Sequence, residues 1–327
     1  MKKIFLSTLK WLLPLLIAAA ILIYVYRDFD FATVWDILRH DTRMAWLWIS
    51  LLPILLSHIL RGVRWLQTLE PLGYRPRTIN SVLSIYLAYA SNIIIPRVGE
   101  VSRCGVLLRY DGVPFTKSLG TLVAERVVDF IIAFSYCGVM FLLFFDDFAG
   151  IFTGSTQGGL VALLTNWRFW TVAVAVVAGA WLLWHFFHQS RPMQKISHLL
   201  RNFGEGFISL GKVRRLWLFL LLTAAIWLCY YLEFYLCFFA FPFTAALTPL
   251  QGAVIFAAIS VAIIIPTPNG AGPWHFVVTS LLVASCGVLE PQAASFALIV
   301  HTFQTLFVLL FGAVSWILLQ IFNRQKS

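Results

Sequence analysis

The chain has 327 residues, of which 60% are hydrophobic and only 12% charged, about half the charged share of a soluble domain. So little polar surface cannot clothe a water-soluble globule, which excludes a cytosolic enzyme and a disordered regulator and leaves lipid as the solvent. The formal charge of +10 then reads as basic loops facing anionic headgroups rather than as a surface for nucleic acid.

In chain order, Lys2, Lys3 and Lys10 precede an apolar run from Trp11 to Tyr26. Ala18-Ala19-Ala20 looks like a cleavage site, but the run continues through Ile21-Leu22-Ile23, so an uncleaved anchor is expected. Further spans are expected near 44–60, 127–145, 168–188, 216–240, 274–289 and 293–321. About 20 residues at 1.5 Å each cover a hydrocarbon core of roughly 30 Å, so those at 44–60 and 274–289 are short. Two segments break the pattern: 79–109, rich in Asn, Ser and Arg, and 250–272, which ends in Pro266-Thr267-Pro268-Asn269-Gly270-Ala271-Gly272. The fold class expected is all-α, a polytopic transmembrane helix bundle of about seven spans plus two re-entrant helical hairpins. It forms one domain over 1–327, with possible repeat halves 1–150 and 160–321 and no soluble domain.

Charge counting decides how 79–109 runs. If it enters and leaves on one side, the N-terminus, 61–78, 97–126 and 189–215 share that side, and basic residues divide 18 to 4. A full crossing would translocate the two richest groups, which the positive-inside rule opposes. The hairpin is therefore preferred, with a cytoplasmic N-terminus in a cytoplasmic (inner) membrane. The side of the C-terminus, with Arg324 and Lys326, stays open. Ile93-Ile94-Ile95-Pro96 is echoed by Ile263-Ile264-Ile265-Pro266, each break following two spans. Opposite starting sides would make the halves an inverted-topology repeat whose broken helices meet in mid-bilayer.

The stretch from Asn92 to Arg103 is the most informative. A helix carrying Pro96 and Gly99 releases backbone groups, and lipid tolerates these only where protein or a wet cavity satisfies them. Arg97, Glu100 and Arg103 follow at i, i+3 and i+6, so Glu100 can pair with either arginine and leave a positive charge suited to phosphate. Arginines of a surface loop that snorkel to headgroups are the alternative. Glu125, Arg126 and Asp129 enter the next span, as a functional group or as an ion pair anchoring the helix end. Arg61 and Arg64, next to Trp65, are either interfacial anchors or site residues. Glu233 has no basic neighbour in its own span, so it is either a proton-coupling group or a protonated hydrogen-bonder facing the bundle interior.

The remaining signals point away from chemistry. Cys104, Cys137, Cys229, Cys237 and Cys286 lack the spacing of a disulfide framework or a zinc site. His185 and His188 read as an interfacial pair, and Asn269-Gly270-Ala271-Gly272 is no nucleotide-binding loop. No metal or cofactor is expected. Residues 189–215 mix basic and apolar residues at a spacing of three to four, as in an amphipathic helix lying on the cytoplasmic leaflet.

Asn92-Ile-Ile-Ile-Pro96-Arg97-Val98-Gly99-Glu100-Val-Ser-Arg103, then Glu125-Arg126-Val-Val-Asp129, then Pro266-Thr267-Pro268-Asn269-Gly270 together resemble the transmembrane region of the lysylphosphatidylglycerol synthases, a flippase-like family. The resemblance covers nearly the whole chain, and the arginines before Trp65 are similar too. It implies movement of a lipid between leaflets, with a separate cytosolic domain making that lipid in two-part members. This chain stops at Ser327 without such a domain, so a separate lipid synthase is an expected partner and lysyl transfer by the chain alone is not expected. The expected cargo is an anionic phospholipid or a polyprenyl lipid or glycolipid. Arg97 and Arg103 would meet its phosphate, organised by Glu100 and the 125–129 group, while Pro96, Gly99, Pro266 and Gly270 permit the breaks. The rival expectation is a lipid-modifying transferase, or an accessory subunit of one, related to phosphatidylglycerol lysyltransferases.

Overall fold

A computed structural model describes residues 19–26, 31–95, 98–144, 211, 213–265 and 267–324. Pro96, Arg97, Pro266, the expected span at 168–188, His185 and His188, and nearly all of the amphipathic segment at 189–215 lie outside the described residues. Among the described residues there are helices and turns and no strand. After a helical stretch at 19–26 come α1 (Phe31–Asp36), α2 (Met44–Leu69), α3 (Thr78–Ile94), α4 (Val98–Asp111) and α5 (Phe115–Leu143). Beyond the gap follow α6 (Leu216–Phe238), α7 (Pro249–Ala262), α8 (Pro273–Ala284) and α9 (Glu290–Asn323).

Four of these helical stretches, Met44–Leu72, Phe115–Leu143, Leu216–Phe238 and Glu290–Asn323, are long and apolar enough to cross a membrane. Their outward faces carry large apolar side chains such as Leu142, Trp217, Leu306 and Trp316, each more than half exposed. Water would not tolerate such continuous greasy faces, whereas lipid requires them. The protein is an integral membrane protein.

Two long helices differ from the expected spans for one reason. α2 continues nine residues past 60, and α5 starts twelve before 127. Arg61, Arg64, Glu125 and Arg126 interrupt the apolar runs in sequence, but the first three are paired across helices and Arg126 with Asp129 of its own helix, so the helices pass through them. Even with the four arginines of the ion-pair cluster taken out of the loops the topological count keeps its direction. Removing Arg61, Arg64, Arg103 and Arg126 from the eighteen leaves fourteen against four. The third difference is at 274–289, where a span was expected. α8 has 12 residues, about 18 Å, and is too short to cross.

α3 and α4 form an antiparallel pair of 17 and 14 residues, roughly 25 and 21 Å. Asp111 accepts from the Arg77 backbone N–H and from Asn80 Nδ2 at the open end, Ile85 meets Cys104 midway, and Gly99 meets Ala88 near the tip. A Cβ on Gly99 would lie 2.2 Å from the Ala88 carbonyl oxygen, so only glycine allows this approach. The Gly99 N–H is held by Asn92 Oδ1 at 2.7 Å, which replaces a helical bond lost at the break.

α7 and α8 form the second short pair. α7 opens with a capping box, Thr248 and Gln251 exchanging side-chain and backbone bonds, with Pro249 in the first turn. The turn into α8 needs left-handed backbone at Asn269 (φ 50), Gly270 (φ 73) and Gly272 (φ 91). α2 packs lengthwise on α6, α3 lies against α2 and α9, and the turn at Pro268–Gly270 touches α3. A large aromatic core of Phe234, Phe238, Phe241, Trp274 and Phe296 joins α6, α8 and α9, and a smaller one of Trp65, Ile85, Leu107 and Leu122 joins α2 to α5. The turn at Pro268–Gly270 thus brings the second short pair against the first.

Candidate functional site

α2 places His58, Arg61 and Trp65 on one stripe, with Arg64 beside them, and all four are buried. Opposite, α5 presents Glu125 and Asp129 one turn apart, near its middle. Arg61 Nη2 donates to Asp129 Oδ2 at 2.9 Å, and Arg64 Nη2 donates to Asp129 Oδ1 at 3.0 Å. Arg64 Nε lies 3.4 Å from Glu125 Oε1, and its Nη1 donates to Thr223 Oγ1 of α6 at 3.1 Å. Arg64 is fully buried and ties α2, α5 and α6 at one point.

Arg103 of α4 completes the chain of charges. Its Nη2 donates to Glu125 Oε2 at 3.1 Å, and its guanidinium stacks 3.8 Å from the centre of the Trp65 ring. Trp65 Nε1 in turn donates to Thr121 Oγ1 at 2.9 Å, fixing the ring that carries the cation. Of the two partners expected for Glu100, Arg97 lies outside the described residues and Arg103 is engaged elsewhere. Glu125, on the next helix in sequence, takes Arg103 instead, because a buried guanidinium needs a carboxylate in the plane of its fork. Arg126 keeps the expected i, i+3 relation to Asp129, at 3.9 Å, with about a third of its side chain exposed.

A cavity of about 470 Å³ runs beside this cluster, a size suited to a headgroup with the first part of its tails. Arg61, Arg103, Arg126 and Asp129 line one end, together with His58 and the Tyr89–Tyr230 pair, whose hydroxyls are 2.9 Å apart. Asn92, Gly99 and Glu100 line it from the first break, and Ile263, Thr267, Asn269 and Gly270 from the second. Asn269 is fixed by its own bond to Thr305 Oγ1 at 2.8 Å and by His301 Nε2 on its carbonyl at 3.1 Å. Glu233 is also on the wall, one turn beyond Tyr230, and has no ion pair among the described residues. Much of the remaining wall is aliphatic or aromatic, including Leu51, Ile54, Phe130 and Phe311.

Of the residues singled out from sequence, Arg64 and Glu125 stand behind the wall and hold it together, while the other described ones line the cavity. Arg61 and Arg64 are 2% and 0% exposed, so both are buried within the helix bundle rather than standing at an exposed interface, and Arg61 also lines the cavity. His58, Tyr89, Tyr230, His301 and Gln304 also line the cavity and went unremarked in the sequence. His58 carried a readable signal, one turn before Arg61 on the same stripe. The others come from helices whose adjacency no local pattern reveals. Among the described residues no group of three His, Cys, Asp or Glu side chains is arranged to hold a metal ion.

The charges do not close on themselves. Buried N–H groups remain without a hydrogen-bond acceptor on Arg61 (Nε, Nη1), Arg64 (Nε), Arg103 (Nε) and Arg126 (Nε), and of these residues Arg61, Arg103 and Arg126 line the cavity. Orphaned donors of this kind are costly unless an acceptor arrives, and an anion is the natural one.

Comparison with known proteins gives two results. Residues 11–312 match the family described as Lysylphosphatidylglycerol synthase TM region. A stretch of 108 residues is 28% identical to a Haloferax volcanii protein named Glycosyltransferase AglD, covering 31% of this chain. The match spans 17% of that relative's length.

Proposed function

Because the chain belongs to the lysylphosphatidylglycerol synthase transmembrane-region family, we propose that it translocates a phosphate-bearing lipid across the cytoplasmic membrane, with its N-terminus in the cytoplasm. The observation that carries this reading is Arg61: 2% exposed, on the cavity wall, and with two N–H groups that no protein atom accepts. The headgroup enters beside Arg61, Arg103 and Arg126 while the tails stay against the aliphatic wall and the surrounding lipid. Tips of both short helix pairs support such a path, since Ile94, Ile95, Ile263 and Ile265 expose apolar surface around the break. A headgroup held by fixed N–H donors replaces the water it loses on leaving the interface, which is the main barrier to spontaneous flipping.

Reconstituted vesicles containing fluorescent anionic phospholipid test this. Arg126→Gln is the informative variant, because Arg126 makes no hydrogen bond shorter than its 3.9 Å approach to Asp129 and its loss leaves the buried lock intact. The expected result is transbilayer movement slowed at least tenfold, the cost of about 1.4 kcal/mol at the barrier. Equal rates for wild type and variant would remove the assignment.

The likeness to a protein named as a glycosyltransferase favours one second reading: a membrane component of a lipid-modifying transferase, working with a separate synthase. It requires a chemically altered lipid in expressing cells, detectable by mass spectrometry of lipid extracts.

A further inference from the structure

The cavity wall holds a carboxyl group that the arginine cluster does not use. Glu233 lines it from α6, one turn beyond Tyr230, and among the described residues its side chain enters no hydrogen bond or ion pair. Its oxygens are not among the polar atoms sealed inside protein, so they open on the cavity space. We infer that lipid movement is coupled to protons, one proton travelling with each phosphate, and that Glu233 is the group that carries it. This rests on the lipid reading above and supplies its driving force.

Position is the first reason. α6 begins where Arg214 Nη1 approaches Glu70 at 3.9 Å, and it ends where the Ala240 carbonyl accepts from the Arg43 N–H at 2.8 Å. Along it Thr223 meets Arg64, Tyr230 lies with its ring centre 5.7 Å from the Arg61 guanidinium, and Glu233 follows. Glu233 therefore stands about 15 Å along the helix from Thr223, toward the face opposite Arg75. A phosphate that leaves the arginines for that face, or reaches them from it, passes this carboxyl.

Charge is the second. As a carboxylate, Glu233 repels a phosphate across a space of low dielectric; as a carboxylic acid, it donates an O–H to one. Phosphate and proton favour each other at this place, and by linkage each is held more tightly when the other is present. A carboxyl without a counter-charge on the wall of a membrane cavity is the kind of group that relays protons.

The other titratable and charged groups facing that space are placed differently. On α2, both ring nitrogens of His58 are sealed in protein, and Arg61 is held by Asp129. Tyr89 of α3 and Tyr230 of α6 bond each other, and the Cys237 thiol, one turn past Glu233, donates to the Glu233 backbone carbonyl. On α9, His301 Nε2 meets the Asn269 carbonyl. Glu100 and Arg103 of α4 and Arg126 and Asp129 of α5 stand at the arginine end, and α7 and α8 bring no titratable side chain to the wall. Glu233 is thus the open carboxyl outside the arginine cluster.

A proton travelling with a singly charged lipid makes the movement electroneutral. The pH difference across the membrane then drives it and the voltage does not, so protons entering the cell draw lipid toward the cytoplasmic leaflet.

The experiment uses the full chain in phosphatidylcholine vesicles with a trace of acyl-labelled fluorescent phosphatidylglycerol, and reads its distribution between leaflets with an impermeant quencher. With the voltage clamped at zero and the outside more acidic by about one pH unit, wild type should accumulate the lipid in the inner leaflet roughly tenfold. A voltage alone should leave it evenly distributed. Glu233→Gln should reverse both responses: no accumulation with the pH difference, and about tenfold redistribution for each 59 mV of voltage, because the anion then moves alone. Glu233→Asp should keep the wild-type pattern. Each protein is compared with itself at zero gradient, so a slower variant does not confuse the reading. Wild-type movement that ignores the pH difference, or follows a sodium gradient in its place, overturns the coupling and leaves translocation standing. A Gln variant that still accumulates lipid, or that moves none, overturns the role of Glu233, since the amide stands for the protonated carboxyl that admits the phosphate. No movement by wild type under any gradient overturns the lipid reading itself.

Discussion

Arg64 and Asp129 show what single residues decide here. Each is useless alone in a low-dielectric interior, and together with Arg61 and Glu125 they form a chain in which every carboxylate serves two guanidinium groups. Removing one member strands the others. Asp129→Ala leaves Arg61 and Arg64 without their shared partner and should lower stability by about 3–5 kcal/mol, seen as loss of folded protein in detergent thermal-melt assays. The residue types of this cluster were legible in the sequence, since ionisable groups inside apolar runs are rarely decorative. The pairings were not, because Arg61 and Arg64 stand more than sixty residues from their carboxylates, and local spacing offered Arg103 only Glu100.

At the scale of elements, hydropathy located the long helices and misjudged their ends. A window that penalises charge stops at Arg61 and starts after Arg126, although paired charges let α2 and α5 run on for several turns. The same reading took 274–289 as a span because it is apolar, and missed that its helix closes after 12 residues at Ala284. The break at 95–98 was better marked, since Asn92 and Gly99 announce a chain that folds back. That geometry makes Gly99 unforgiving. Gly99→Ala places a methyl against the Ala88 carbonyl, a backbone atom that cannot swing aside, so α4 must shift and carry Arg103 away from Glu125 and Trp65. The expected outcome is a protein that inserts but gives greatly reduced lipid movement, at a cost of order 1–3 kcal/mol in stability.

For the whole molecule, the antiparallel pairing of α3 and α4 has a topological consequence. Both outer ends of the pair lie together, joined through Asp111 to Arg77 and Asn80, so the segments before α3 and after α4 emerge on one side. Single cysteines at Arg75 and Arg109, introduced without the native cysteines, should both react with an impermeant thiol reagent from the cytoplasmic side. Labelling of Arg109→Cys from the opposite side would contradict the pairing and the sidedness at once. The basic excess near these ends foretold this arrangement, even though part of that excess turned out to belong to the interior.

One buried guanidinium ties three of the long helices at a common node, which limits how the protein can change shape. With α2, α5 and α6 pinned by Arg64, a rocking of rigid halves is mechanically disfavoured, and the compliant parts left for a working cycle are the two short helix pairs. Such a machine deforms little at its outer girdle. Its operation should therefore be indifferent to bilayer thickness, unlike a carrier that tilts its whole body, and a cell could alter its acyl-chain length without retuning the traffic that passes through it.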